Sequence, residues 1–112
     1  MDYGTIIGKQ VRVTVDRKLG SVHPKHPDIV YGVNYGFIDG IIGGDGEEQD
    51  AYILGIDTPI EYFDGVVIAV IERLDDNETK WIVSPDNVDF SDQEIIKLVN
   101  FQEKFFKIRI VR

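Results

Sequence analysis

The segment Asp45-Gly46-Glu47-Glu48-Gln49-Asp50 sets four carboxylates within six residues, and Gly46 gives the backbone the freedom to bring them round a turn. A second acidic group follows at Glu72, Asp75, Asp76 and Glu78, with Lys80 two residues after the last of them. Hard divalent cations take oxygen ligands and keep waters for a phosphate, so two such clusters at the ends of neighbouring strands would suit magnesium. The plainer reading is a pair of solvated turns, because runs of charge usually face water. The first cluster is not a calcium-binding EF-hand loop, since the alternating Asx positions, the glycine at the sixth place and the closing glutamate are missing. His23 and His26, three apart and flanked by prolines, read as solvated loop residues with no third metal ligand beside them.

The elements that must position these groups follow from periodicity. Residues 10–16 alternate Val11, Val13 and Val15 with Arg12, Thr14 and Asp16, the pattern of a half-buried strand. Residues 18–31, with Gly20, Pro24 and Pro27, break any regular period and read as a loop. Residues 37–42 and 50–56 read as two strands flanking the glycine-rich acidic turn, and residues 58–65, which include Pro59, as a connection. Residues 66–71 are apolar throughout, which suits a strand covered on both faces; residues 79–84 complete a hairpin with it. Ser91 with Glu94 forms a capping box, Asp92 places negative charge in the first turn, and Ile95, Leu98, Val99, Gln102 and Phe106 recur at helical spacing. The pattern predicts a helix from Ser91 to about Phe105, then a last strand over 107–112 with Ile108 and Ile110 inward. Trp81, Phe105 and Phe106 are assigned to the core. The sum is a mainly β chain, a small closed antiparallel barrel of five or six strands with one C-terminal α-helix.

Size and charge set the frame. With 112 residues, 43% of them hydrophobic, the chain has material for one core, and residues 1–112 read as a single domain. The lack of cysteine excludes disulfides, a Cys-based zinc site and a thiol nucleophile, and it fits a reducing compartment. The longest apolar run, residues 66–71, is far short of the roughly twenty residues of a bilayer span, so no membrane partner is expected. The first residues carry no basic-then-apolar export pattern, and a cytoplasmic location is expected. Twelve Lys and Arg against twenty Asp and Glu give a net charge of -8, which opposes nucleic acid as a partner. A phosphate ligand would need a divalent cation to reverse the local field.

Tyr31-Gly32-Val33-Asn34-Tyr35-Gly36-Phe37-Ile38 is the other unusual stretch. By itself it reads as a turn capped by Asn34, a close backbone approach at Gly36 and tyrosines at a barrel mouth. Taken in order with Asp45-Gly46 and its acids and with Asp50-Ala51-Tyr52-Ile53-Leu54, it resembles the signature region of the family I soluble inorganic pyrophosphatases. The likeness continues through Thr58-Pro59, Gly65-Val66-Val67, Lys80 and Pro85 to Phe105-Phe106-Lys107, covering residues 30–107, with Asp16 and Gly20 matching more loosely. The resemblance implies a barrel of the oligonucleotide-binding (OB) type and magnesium-dependent hydrolysis of inorganic pyrophosphate to two phosphates by a metal-activated water. Manganese is the alternative cation, a small phosphate compound the substrate, and a homo-oligomer the assembly. It further implies Asp45 and Asp50 as metal ligands, Glu78 and Glu72 as additional ones (with Asp75 and Asp76 as rivals of Glu72), and Glu47 as the catalytic base, where the family has aspartate. Tyr31, Lys80 and Lys107 would hold the phosphates. The family's Lys-Tyr-Glu reads Arg12-Val13-Thr14 here, so Arg12 stands in for its lysine and Lys25 for its phosphate arginine. The family's Asp-Gly-Asp-Pro reads Asp45-Gly46-Glu47-Glu48, and Phe106 replaces the tyrosine before Lys107. These departures sustain a second reading, a barrel that binds a divalent cation, a phosphate compound or a protein partner without turnover.

Overall fold

The structure, a computed structural model, describes residues 3–76 and 78–112. In chain order it consists of β1 (Gln10–Arg17), β2 (Asn34–Ile42), β3 (Glu48–Ile53), β4 (Tyr62–Arg73), β5 (Thr79–Ser84), α1 (Asp92–Glu103) and β6 (Ile108–Val111). The sheet order is β1-β2-β3-β5-β4-β6, and β1 also pairs with β4. Five strands therefore close into an OB-like barrel, while β6 lies outside along β4. Closure leaves the barrel strands no free edge. One pair departs from the antiparallel expectation: β3 and β5 run parallel, with Ala51 beside Trp81. Because β4 must run antiparallel to β1 to close the ring, β5, antiparallel to β4, takes the direction of β3.

Two hydrophobic layers hold this arrangement. The alternation of β1 sends Val11, Val13 and Val15 into the barrel, where Ile38, Ile53, Val67, Val70, Trp81 and Val83 meet them. The outer layer joins Tyr31, Tyr35, Tyr52, Leu54, Ala69, Ile71 and Ile82 to Ile95 and Val99 of α1. Strand β4 serves both layers, as its apolar run requires. A register shift between Val67 and Ala69 switches its alternation, so that Val67 and Val70 face inward and Ala69 and Ile71 outward. This strand also starts earlier than its apolar run, at Tyr62, because residues 62–66 form the seam with β1. The β1–β2 seam is closest at Gly36, where a Cβ would lie 1.9 Å from the Thr14 carbonyl oxygen. Only glycine fits there.

The capping box forms as expected: the Glu94 amide donates to Ser91 Oγ (3.1 Å) and the Ser91 amide to Glu94 Oε1 (2.9 Å). Ile95, Val99, Gln102 and Glu103 are buried, whereas Leu98 faces solvent. The helix stops at Glu103, before the expected Phe105, and the chain turns at once into β6, whose Ile108 and Ile110 pack on the outer layer. The core assignment of two aromatics is thereby corrected. Phe105 is 55% exposed and Phe106 only half-buried, because the turn carries both past the end of the helix interface. Trp81 is buried as expected. No helix among the described residues is long and apolar enough to cross a membrane.

Candidate functional site

A cleft of about 600 Å³ gathers side chains from all five barrel strands, the β1–β2 loop and the end of α1. Strand β1 supplies Asp16 and Arg17. Strict alternation would send these neighbours to opposite faces, but the register shifts between Val15, opposite Gly36, and Arg17, opposite Tyr35. Asp16 is the extra residue of this bulge, and both side chains reach the cleft. The loop that follows is pinned by buried Asn34, whose Oδ1 accepts from the Leu19 amide (2.9 Å) and whose Nδ2 donates to the Thr58 carbonyl (2.9 Å). His23 and His26 lie at the solvent-accessible rim of the cleft, His26 exposed and His23 partly covered, with ring centroids 4.9 Å apart. The Lys25 amide donates to His23 Nδ1 (3.1 Å), which leaves the proton of the neutral ring on Nε2. Desolvation, then Arg17, His26 and Lys25, hold this imidazole below its ordinary pKa.

One continuous chain of polar contacts forms the floor. Lys80 Nζ donates to Asp50 Oδ2 (2.6 Å) and Glu78 Oε1 (3.3 Å), and Arg73 Nη1 donates to Glu78 Oε2 (3.0 Å). The same guanidinium grips Glu103 with two bonds, from Nε (2.9 Å) and Nη2 (2.7 Å), while the Phe106 ring covers it at 3.7 Å. Tyr52 Oη donates to Glu103 Oε2 (2.6 Å), Gln102 Nε2 to Tyr52 Oη (2.6 Å), and Tyr31 Oη to Gln102 Oε1 (2.8 Å). Arg17 Nη1 closes the chain on Tyr31 Oη (3.2 Å). Burial alone would lower the Arg73 pKa, but the bonds and charge of Glu103 outweigh it and the guanidinium stays charged. Among the described residues, no carboxylate lies within ion-pair distance of Arg17. Its charge is open to a ligand. Desolvation raises the pKa of Asp16, with Asp50 adding to the rise and Arg17 opposing it. Burial, then the Asp50 charge, pushes the Tyr35 phenol up, so it remains a neutral hydrogen-bond donor.

Of the residues expected from sequence, the cleft contains Tyr31, Lys80 and Asp50. Glu78 joins its floor through Lys80 and Arg73. The remaining ones lie elsewhere. Arg12 makes a two-bond pair with Asp64 (2.8 and 2.9 Å) at the exposed β1–β4 seam and stacks on Tyr62, since alternation turns it away from the mouth. Lys25 and Lys107 are exposed outside the cleft. Glu72 accepts from Tyr3 Oη (2.7 Å) and Arg109 (2.9 and 2.5 Å) beside a separate hollow of about 470 Å³. Its pKa is held low, first by the Tyr3 bond and then by Arg109, while burial and Glu72 raise the Tyr3 phenol to about 12. Glu47 is exposed on the β2–β3 turn, where its amide donates to Asp45 Oδ1 (3.0 Å). Asp45, Asp50 and Glu78 do border one hollow, but its volume is about 10 Å³. That is room for roughly one water molecule.

The donor set does not fit a resident multi-cation centre. Asp50 and Glu78 already satisfy Lys80 and Arg73, and Asp45 turns to its own loop. Among the described residues, no three His, Asp or Glu side chains are grouped to hold a metal ion. The cleft residues to which the sequence assigns no site role include Asp16, Arg17, Asp28, Tyr35, Arg73 and Gln102, with Glu103 bonded to Arg73. A signal existed for one pair: Asp16-Arg17 sets two opposite charges where the β1 alternation ends.

No protein-family model matches the sequence, and no curated protein matches it. Solved structures do match the fold. The inorganic pyrophosphatase from Ehrlichia chaffeensis superposes with a TM-score of 0.70 at 16% identity, over 92% of this chain and 85% of that one. The Neisseria gonorrhoeae inorganic pyrophosphatase gives 0.62 at 22% identity (89% and 79%), and the Thermus thermophilus one 0.62 at 16% (100% and 84%). At these identities the likeness establishes a shared fold.

Proposed function

We propose that the cleft binds pyrophosphate or a closely related small phosphoanhydride and hydrolyses it to phosphate products. The observation that carries this reading is Arg17 beside the Tyr31 hydroxyl: of the three cations lining the cleft, Lys80 and Arg73 are held by carboxylates, whereas Arg17, among the described residues, has none within ion-pair distance. Cations fixed in a partly desolvated site stabilise charge developing on phosphoryl oxygens, and they need no rearrangement at the moment of reaction. The fold shared with inorganic pyrophosphatases supports the same substrate class. In this reading Asp16, with its raised pKa, takes the proton of the attacking water while the water oxygen bonds to phosphorus. The bridging P–O bond then breaks, and the proton passes to the departing phosphate. Glu47 has no part, being outside the cleft. Magnesium enters as the counter-ion of the substrate.

The test is phosphate release from pyrophosphate and a panel of nucleotides with magnesium or manganese, run beside calorimetric titration. Arg17→Ala is expected to lower turnover about 100-fold, the scale of losing one oxyanion donor. Asp16→Asn should reduce turnover by roughly 100-fold or more while leaving pyrophosphate affinity in place. The ion pairs that occupy Asp50 and Glu78 favour the second reading, binding without turnover. Pyrophosphate binding without phosphate release selects that reading, and absence of binding to pyrophosphate and to every nucleotide overturns the hydrolase and leaves the second reading only its cation and protein partners.

A further inference from the structure

The cleft is larger and more aromatic than pyrophosphate needs. If each non-hydrogen atom takes at most the roughly 30 Å³ of a water molecule, pyrophosphate fills less than half of the volume. The full volume, about 600 Å³, lies within the range of about 300–1,000 Å³ typical of pockets for larger organic ligands. Its lining sets Arg17, and Lys80 paired with Asp50, in one cleft with the rings of His23, His26, Phe105 and Phe106. Phe105 is 55% exposed there, with the Lys104 ammonium 5.3 Å from its ring centroid. An exposed phenyl lining the same cleft as an unpaired arginine is a ready stacking platform, because every nucleobase has a π-face and stacking tolerates any of them. His23 adds an Nε2–H donor, fixed by the bond from the Lys25 amide to Nδ1.

We propose that the cleft takes a nucleoside diphosphate, its two phosphates at Arg17 and Lys80 and its base on the rings of Phe105 and His26. This inference rests on the phosphate reading of the same cleft and names its substrate class. The acidic surface, net charge -8, opposes a polymeric nucleic acid as the source of that nucleotide.

Two ligands that resist cleavage separate the claims by isothermal titration: α,β-methylene-ADP and methylenediphosphonate, each with magnesium, on the full chain. The wild-type protein is expected to bind the nucleotide analogue roughly 5- to 100-fold more tightly, the scale of one base stacked on an aromatic side chain. Adenine absorbance at 260 nm should fall on binding. Phe105→Ala, at a position that contributes nothing to either core layer, should remove most of that gain and leave the bisphosphonate affinity unchanged; His26→Ala should act in the same direction. Equal wild-type affinities, or a Phe105→Ala effect equal on both ligands, would overturn the nucleotide proposal while the phosphate reading stands. Failure of both ligands to bind would overturn the phosphate reading, and this one with it.

Discussion

The two buried layers of this protein differ in chemistry. Inside the barrel the core is largely aliphatic, with Tyr3, Trp81 and the partly buried Phe63 as its rings. Between barrel and helix, the outer layer and its rim bury three tyrosines, the Gln102 amide, the Glu103 carboxylate and the Arg73 guanidinium. The dry layer has one task, to close the ring of strands. The polar layer extends from the helix interface into the floor of the cleft, so the packing of α1 and the placing of Arg73 are one event.

The strongest test of that division is Glu103→Ala. It leaves a buried guanidinium short of its main partner, and breaking a buried pair costs about 3–5 kcal/mol. Urea denaturation should show that loss, with weakened pyrophosphate binding in the folded fraction; a loss of stability with affinity intact would separate the layer from the cleft. Ile53→Ala in the dry layer should cost about 2–5 kcal/mol and leave the affinity of folded protein unchanged. A third test uses pH. The folded-state pKa of Asp16 is raised, so its ionisation opposes folding at neutral pH and that opposition fades as pH falls through the carboxylate range. Asp16→Asn should therefore melt higher than wild type at pH 7, with the gap closing on acidification. The smallest effects belong to the acidic turn: Asp45→Asn and Glu47→Gln should each stay within about 0.5 kcal/mol in stability and leave cleft affinity unmoved. A drop in either would return the turn to the site.

Features carried by local pattern were legible in the sequence. The β1 alternation, the 66–84 hairpin and the Ser91-Glu94 capping box all depend on neighbours within a few residues, and each is present. The site was less legible because its parts depend on distant pairing. Arg17 reaches the cleft through a bulge defined by β2, and Arg73 through a helix that starts 19 residues later at Asp92. Tyr31, Asp50 and Lys80, which the resemblance names, share one cleft, but a linear signature carries no information on the pairing of Lys80 and Arg73 with Asp50 and Glu78 across strands. Phe105 and Phe106 leave the expected core for a related reason: helical spacing carries no mark of the residue at which the chain turns away.

The seam between β1 and β4 also governs how long the molecule takes to form. It joins Arg12 to Asp64, 52 residues apart, and the parallel pair joins Ala51 to Trp81 across the whole of β4. Neither can be made until a long loop has been closed, and the entropy of that closure precedes any gain from pairing. Folding is therefore expected on the millisecond-to-second scale of small β-barrels, which stopped-flow Trp81 fluorescence would measure. Until the seam closes, β1 and β4 each present an unpaired edge to other chains, so refolding yield should fall as protein concentration rises.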